Sequence, residues 1–470
     1  MGGLLLFTGC MVGPNYCPPE LNYSDAWSAN LDESCSEIAL EWWKVFEDSD
    51  LNELIQKAKD CNYSIAMAEA KIAEARGLKQ TAASKLYPHL SFDSNANKYY
   101  FSKNGFLSLF DRANLPPVIP QIETLFNALL DVSWELDIFG KTRRTVEAAE
   151  AYLESQIEGR NDVLLSVLAE VATTYLDLRA TQQRIALARR NIWVTEQQLD
   201  IALRNAEEGY IDQIGLDQAK KALSDAKAQI PNLFANLLSD IYSISVLIGQ
   251  PPETLVEQLS IERPIPRIPD AIALGLRSDL LRRRPDVRKA ERELAAATAT
   301  IGIAVASFFP VFSFSNQDGY QSLTWGKLFD WDSRTWNAGI DLRMPIFQGG
   351  RIVGNLHVTQ ALAVEKAKNY QKTVLEALQE AETSLSNFRR QIDTLDSQTE
   401  SVQSSRDIWA LTLAQYDRGL VNRTQALSAE QKLVQTEDLW VQDQQIAFSR
   451  LITLYKALGG GWESVDNEID

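Results

Sequence analysis

The sequence predicts a mainly helical protein made of two copies of one unit, each joining two membrane-type β-strands to a long helical hairpin. The first observation is an internal duplication. Leu86-Tyr87-Pro88-His89-Leu90-Ser91-Phe92 returns as Phe308-Phe309-Pro310-Val311-Phe312-Ser313-Phe314. Upstream, Ala68-Glu69, Ile72-Ala73 and Ala75 recur as Ala290-Glu291, Leu294-Ala295 and Ala297. Downstream, Trp134-Glu135-Leu136-Asp137-Ile138-Phe139-Gly140 returns as Leu342-Arg343-Met344-Pro345-Ile346-Phe347-Gln348, followed by Gly349 and Gly350. A period of roughly 200 residues exceeds any solenoid or propeller repeat and points to a pseudo-twofold protomer. The second observation is two proline-free tracts of strong helix formers, from Lys141 to Ile230 and from Gly350 onward. The third is strict period-two alternation in the segments ahead of those tracts.

The elements follow in chain order. In residues 1–10, Leu4-Leu5-Leu6-Phe7-Thr8-Gly9-Cys10 reads as the end of a signal peptide's apolar core, a small-residue site and a cysteine. No Lys or Arg precedes it, so either the true start lies upstream or the match is accidental. Residues 11–50 are expected to be irregular, with Trp42 and Trp43 packed against helices. The first repeat is expected over 51–248: a helix from about Leu51 to Leu86, two strands, then the hairpin. A proline-dense linker, 249–277, leads to the second repeat, 278–458, which opens with a helix from about Ser278 to Phe308, and a tail, 459–470. In the first hairpin Leu164, Val167, Leu168, Val171, Tyr175, Leu178 and Ile185 keep helical spacing; in the second Val374, Leu378, Ala381, Leu385 and Phe388 do so. Each hairpin turns at a glycine, in Glu208-Gly209-Tyr210-Ile211-Asp212 and Arg418-Gly419-Leu420-Val421-Asn422. One arm should span roughly 65 residues, about 100 Å, and the return arm about half that. The helices preceding the strands have the length to stack end-on with the return arms. Such narrow apolar stripes imply coiled-coil packing, which alone would also suit a soluble rod.

The strands argue against the rod. Val132, Trp134, Leu136 and Ile138 alternate with Asp131, Ser133, Glu135 and Asp137; Trp336, Ala338, Ile340, Leu342 and Met344 alternate with Asn337, Gly339, Asp341 and Arg343. Leu90 and Phe92, and Phe312 and Phe314, alternate with polar neighbours in the same way. One apolar and one polar face over about ten residues is the pattern of a transmembrane barrel strand; a soluble sheet with one wet face shares it. Four strands cannot close a water-filled barrel, and an open edge in hydrocarbon is forbidden, so several copies must share one. Two, three or four copies would give about 8, 12 or 16 strands. The loops from about Ser102 to Phe126 and from Leu323 to Arg334 should face the exterior.

Composition excludes other classes. A net charge of −17, from 46 basic and 63 acidic residues, argues against nucleic acid. No run of about 18 apolar residues predicts a transmembrane helix. Cys10, Cys17, Cys35 and Cys61 show no metal-ligand spacing, and only His89 and His357 could join them, so no metal is expected. A Cys17–Cys35 disulfide and free thiols are both open. No nucleophile elbow, phosphate loop or acid–base constellation marks an enzyme, and no catalytic residue or cofactor is expected. Arg282-Arg283-Arg284, followed by Pro285-Asp286, reads as a helix start with local ion pairs rather than an anion site.

Several motifs together resemble the outer-membrane efflux proteins, in particular the OprM/NodT-type lipoprotein branch, relatives of TolC. They are the run Ser278-Asp279-Leu280-Leu281-Arg282-Arg283-Arg284-Pro285-Asp286-Val287-Arg288-Lys289-Ala290-Glu291-Arg292-Glu293-Leu294, the segments around Phe308-Phe309-Pro310, Trp134 to Gly140 and Pro345 to Gly350, and Cys10-Met11-Val12-Gly13-Pro14-Asn15-Tyr16. The resemblance implies a TolC-like homotrimer: a 12-stranded β-barrel in the outer membrane of a Gram-negative bacterium, on a long α-helical barrel reaching into the periplasm. It implies a passive exit duct for small molecules, docked on a periplasmic adaptor and an inner-membrane pump of the RND type. It implies a signal sequence and a lipidated, palmitate-bearing Cys10 in outer-membrane lipid, although Phe7 stands where the family has Leu. The periplasmic mouth and adaptor-docking surface would comprise Gly209, Tyr210, Ile211, Tyr416, Gly419, Leu420 and Val421. Gln415 and Ser428 stand where the family has an arginine and an aspartate, which leaves open whether the polar lock of the resting mouth exists in this chain. The alternatives are the exit duct of a type I protein-secretion system and a structural coiled-coil envelope protein.

Overall fold

The computed structural model describes residues 10–19, 41–100, 102, 122–269 and 277–462. The first helical element among the described residues is a 3-10 turn, Trp42–Phe46. Helices α1 (Ser49–Cys61) and α2 (Tyr63–Ser84) lead into strands β1 (His89–Tyr100) and β2 (Ile122–Leu136). Helices α3 (Lys141–Glu207) and α4 (Gln213–Leu247) form the first hairpin. The second repeat runs through α5 (Arg277–Arg283), α6 (Pro285–Ala306), β3 (Val311–Ser322), β4 (Arg334–Arg343), α7 (Arg351–Asp417) and α8 (Arg423–Ala457). The hairpin arms are 67 and 35 residues long in both copies, as the Ala/Leu/Glu-rich tracts anticipate. The α4 arm runs through exposed Pro231, which removes one backbone hydrogen bond there.

Two compact units divide the chain. One gathers Ala73–Ser155, Glu291–Asn369 and the segment up to Pro19; the other gathers Gln156–Ala290, Tyr370–Asp470 and the part up to Ile72. In the first unit the strands make one antiparallel sheet in the order β1-β2-β3-β4. Its register places Phe92 opposite Leu130, Trp134 opposite Phe314, and Phe314 opposite Ile340. On the other face Asp131 meets Ser91 and Gln317, and Ser313 meets Glu135 and Asp341. Over the half of the sheet nearer the helices one face is therefore apolar and one polar on all four strands, as the alternation predicts; toward the β3–β4 loop the apolar face also carries Asp318 and Arg334. Phe92, Trp336 and Ile340 are about two-thirds exposed on the apolar face (67%, 71% and 71%), which no water-soluble protein would leave bare over such an area. Ile138 and Met344 fall just beyond the strand ends, and β2 begins at Ile122 rather than after Phe126.

In the second unit the core is a set of narrow helical seams. Leu168, Val171 and Leu178 of α3 are fully buried, as are Val374 and Ala381 of α7 and Leu451 and Leu454 of α8. Trp42 stacks on Tyr455 at 5.5 Å and Phe46 meets Phe448 edge-on at 5.8 Å, so this segment does pack against the helices. Asp50 binds buried Arg179 at 2.9 Å and Arg263 at 2.7 Å, fastening α1 and the proline-rich linker to α3.

Two expectations are corrected. Each helix ahead of the strands is two helices, broken at equivalent points, Asn62 and Arg284–Pro285. Asn62 accepts hydrogen bonds from the backbone N–H groups of Ser64 (2.8 Å) and Ile65 (3.2 Å), capping α2; Pro285 suits the first position of α6. Both breaks hold the end of a return arm: Asn62 Nδ2 donates to the Leu247 carbonyl (2.7 Å) and Arg284 Nη1 to the Ala457 carbonyl (3.0 Å). The expected end-on stacking thus starts at the breaks. The strand-to-helix motif is also out of register by two residues. Gly140 and Gly350, with φ of 79° and 85°, both precede the long helices, so Gly140 matches Gly350 rather than Gln348. Among the described residues α4 is, by length and composition, apolar enough to cross a membrane, which the run-length argument passed over; its Leu233, Leu237 and Ile241 are buried within the hairpin unit.

Candidate functional site

The hairpin turns are built alike. α3 ends in a Schellman motif: Tyr210 N–H donates to the Asn205 carbonyl (2.8 Å) and Gly209 N–H to that of Ala206 (3.1 Å). At the second turn Leu420 N–H donates to Gln415 (2.9 Å) and Gly419 N–H to Tyr416 (2.8 Å). The motif needs a left-handed residue, and Gly209 and Gly419 sit at φ 79° and 71°. Asp212 caps α4 through the Gly215 N–H (2.9 Å), while Asn422 and Gln425 form a reciprocal capping box on α8. Both glycines face open space.

Exposure sorts the predicted residues. Tyr210 (76%) and Leu420 (70%) occupy the same position after the two glycines and stand in solvent. Tyr416 is more covered, at 38%. Ile211 and Val421 are half-buried, Ile211 folding back toward Gly215, so they offer less to a docking surface than Tyr210 and Leu420 do. The turns are also not level. Arg423, at the start of α8, donates to Gln197 of α3 (2.6 Å), well short of the α3 end at Glu207. The first turn therefore projects roughly two helical turns, on the order of 10 Å, past the second. Behind it, Arg190 of α3 pairs with Glu430 (3.0 Å) and Glu437 (3.4 Å) of α8, and Arg406 of α7 shares Glu437 (3.0 Å).

Higher in this unit, burial, with the Asp177 carboxylate as a second cause, pushes the Asp240 carboxyl up to about 7 from an ordinary 3.8. Between those values the folded chain holds a proton that the unfolded chain has lost, so stability falls as pH rises from about 4 to 7 and is flat above. Asp240→Asn is expected to raise the melting midpoint at pH 8, on the order of 1 kcal/mol after allowance for solvent screening, and to change nothing near pH 4. An equal shift at both pH values in detergent-solubilised protein would refute this.

The segment after Cys10 is held tightly in the sheet unit. Arg144, fully buried, donates to the carbonyls of Val12 (3.1 Å) and Gly13 (3.2 Å) and to Asn15 Oδ1 (2.8 Å), and pairs with Glu147 (2.7 Å). Val12 N–H donates to the Phe139 carbonyl (3.2 Å), and Tyr16 donates to Glu291 (3.0 Å). Phe139 stacks on Phe309 at 4.6 Å, between the end of β2 and the start of β3. Cys10, an exposed free thiol, is thereby tethered beside the helix-side rim of the sheet. Cys17 and Cys61 are also free thiols, while Cys35 lies outside the described residues.

The profile of the family described as "Outer membrane efflux protein" matches residues 54–250 and 276–460. The chain belongs to the outer membrane efflux protein family. Nodulation protein T of Rhizobium leguminosarum bv. viciae is 28% identical over 464 residues, covering 97% of this chain and 92% of that protein. The probable efflux pump outer membrane protein TtgC of Pseudomonas putida is also 28% identical, with coverage of 97% and 93%. The solved outer-membrane channel OprN superposes with a TM-score of 0.84 at 28% identity, over 97% of this chain and 100% of that one. This efflux protein has the TolC-like protomer fold; it is an outer-membrane exit channel reaching into the periplasm, not an enzyme. The residue that sequence reasoning missed in this efflux protein is Arg144. A cation in the first turn of a helix opposes the helix dipole, which was the available signal that something else holds it.

Proposed function

We propose that three copies close a 12-stranded barrel and form the passive exit duct of a tripartite pump for small molecules. The observation that carries this is the four-stranded sheet with one apolar and one polar face, whose outer strands β1 and β4 have no further strand partner among the described residues. In a membrane those edges must be satisfied, and β4 of one copy beside β1 of the next would do so. The polar face then lines the lumen with Asp93, Glu123, Asp131, Glu135 and Asp341 against Arg343, favouring cations. The hairpin turns, with Gly209, Tyr210, Ile211, Tyr416, Gly419, Leu420 and Val421, form the periplasmic mouth and meet an adaptor that links the duct to an inner-membrane pump of the RND type. Cys10 carries the lipid, a reading supported by the Arg144 clamp on Val12 and Gly13, which ties the following residues beside the helix-side rim of the sheet. The lipid anchor favours an efflux duct over a protein-secretion duct.

One experiment tests assembly and anchor together. Protein expressed from its authentic start should give a detergent-stable trimer that conducts ions and incorporates labelled fatty acid. Cys10→Ser should lose the label and keep the trimer, because the barrel has its own membrane affinity. A monodisperse monomer with full β content would sink the duct, and an unlabelled parent would sink the anchor.

A further inference from the structure

We propose that the β3–β4 loop, residues 323–333, is a membrane-lying paddle that rests its aromatic rings in the outer-leaflet interface instead of covering the channel exit. This rests on the outer-membrane channel reading above. The loop is short and self-bonded: Ser322 Oγ donates to the Thr324 carbonyl (2.9 Å), Ser333 Oγ donates to the Lys327 carbonyl (2.7 Å), and Leu328 is buried at its centre. Its direction is set by contacts to one face of the sheet. Trp325 meets Phe126 edge-on at 5.4 Å, Phe329 meets Tyr320 edge-on at 5.7 Å, and Trp331 lies 5.3 Å from the Arg334 guanidinium. Phe126, Tyr320 and Arg334 share the face that carries Phe92, Phe314 and Ile340, not the face that carries Asp131 and Gln317. The loop therefore folds outward, on the side away from the lumen.

What it presents there is apolar and unsatisfied. Trp325, Phe329 and Trp331 are 65%, 68% and 73% exposed, and Trp336, next on the same face, is 71% exposed. These rings lie on the same side as the bare apolar face, beyond Trp336 and one charged pair, so the solvent that covers Ile340 extends to them. Tryptophan suits the headgroup–acyl boundary, with its ring in the apolar layer and its N–H in the wet one. Asp318 lies on this face too, paired with Arg334 at 3.3 Å beside the Trp331 ring, at the depth where a neutralised ion pair is tolerated. Lys327, Arg334, Asp318, Asp330 and Asp332 leave no cationic excess in and around the loop, so the partner is the lipid interface in general and not an anionic headgroup.

The test uses the full-length trimer in phosphatidylcholine vesicles, with lipid brominated near the headgroup or with aqueous iodide. Trp325→Phe and Trp331→Phe keep an aromatic ring and remove the fluorescence. The light those two tryptophans contribute, obtained by difference from the parent, should fall roughly twofold in brominated lipid and resist iodide. Single-channel conductance of a Trp325→Ser, Phe329→Ser, Trp331→Ser variant should equal the parent's. Iodide quenching without bromine quenching would overturn the proposal by placing the rings in water. Bromine and iodide both failing would mean that protein, a neighbouring copy or another loop, covers them. A rise in conductance would mean the loop guards the exit. If the parent forms no channel at all, the exit-duct reading itself fails, which the conductance control separates from the loop result.

Discussion

Ile340→Arg is expected to abolish the membrane-inserted trimer, while Asp341→Asn, one residue away, leaves it intact. Ile340 lies mid-strand on the apolar face opposite Phe314, and Asp341 points to the other face opposite Ser313. An arginine facing lipid near the midplane costs about 2–4 kcal/mol per strand, and a trimer would carry three of them. That total rivals the whole stability of an ordinary domain. The neutral Asn change on the lumen side removes only a weak contact from Ser315 (3.4 Å) and a charge that water solvates. Heat-stable trimer in outer-membrane fractions is the measurement. Trimer in the arginine variant, or its loss in the asparagine variant, would reverse the assignment of faces and the barrel with it.

In the second hairpin turn, Leu420→Glu should cut export at least about tenfold at matched protein levels, equivalent to about 1.4 kcal/mol of docking free energy. Leu420 is 70% exposed, and its backbone bond to Gln415 does not depend on its side chain, so the turn survives the change. Gly419→Val should also cripple export, for a different reason. A built Cβ there meets nothing within 4 Å, so the cost is purely the left-handed φ of 71°, about 1–2 kcal/mol for a residue with a side chain. Both variants should still trimerise, since the sheet is formed by other residues. Normal export by Leu420→Glu would remove the turn as a docking surface and leave Gly419 with a merely geometric role.

Much of this architecture is legible because the two periodicities, 2 and 3.6, are written over long stretches. The faces of β1 to β4, the unequal hairpin arms and the turn glycines all follow from patterns internal to one element. What escapes is set between elements. The break at Asn62 depends on the Leu247 carbonyl arriving at that point, 185 residues away in sequence. The two-residue slip at Gly140 arises because alternating apolar residues look alike in either register, whereas the left-handed glycine before each long helix admits one. Arg144 had a local oddity, a cation at a helix start, but its acceptors are the carbonyls of Val12 and Gly13, which no spacing rule connects to it.

The stagger of the two hairpin turns carries a consequence for counting. Three chains around one axis would display six turns of two kinds in alternation, Tyr210 on the taller teeth and Leu420 on the shorter. A partner with six identical subunits cannot meet such a rim in one way; it must either flex into two binding modes or leave one class of turn empty. A partner with threefold symmetry can choose a single class. On the proposal that a partner docks at these turns, the register Arg423–Gln197, a matter of roughly two helical turns, would set whether its copies on the channel are equivalent.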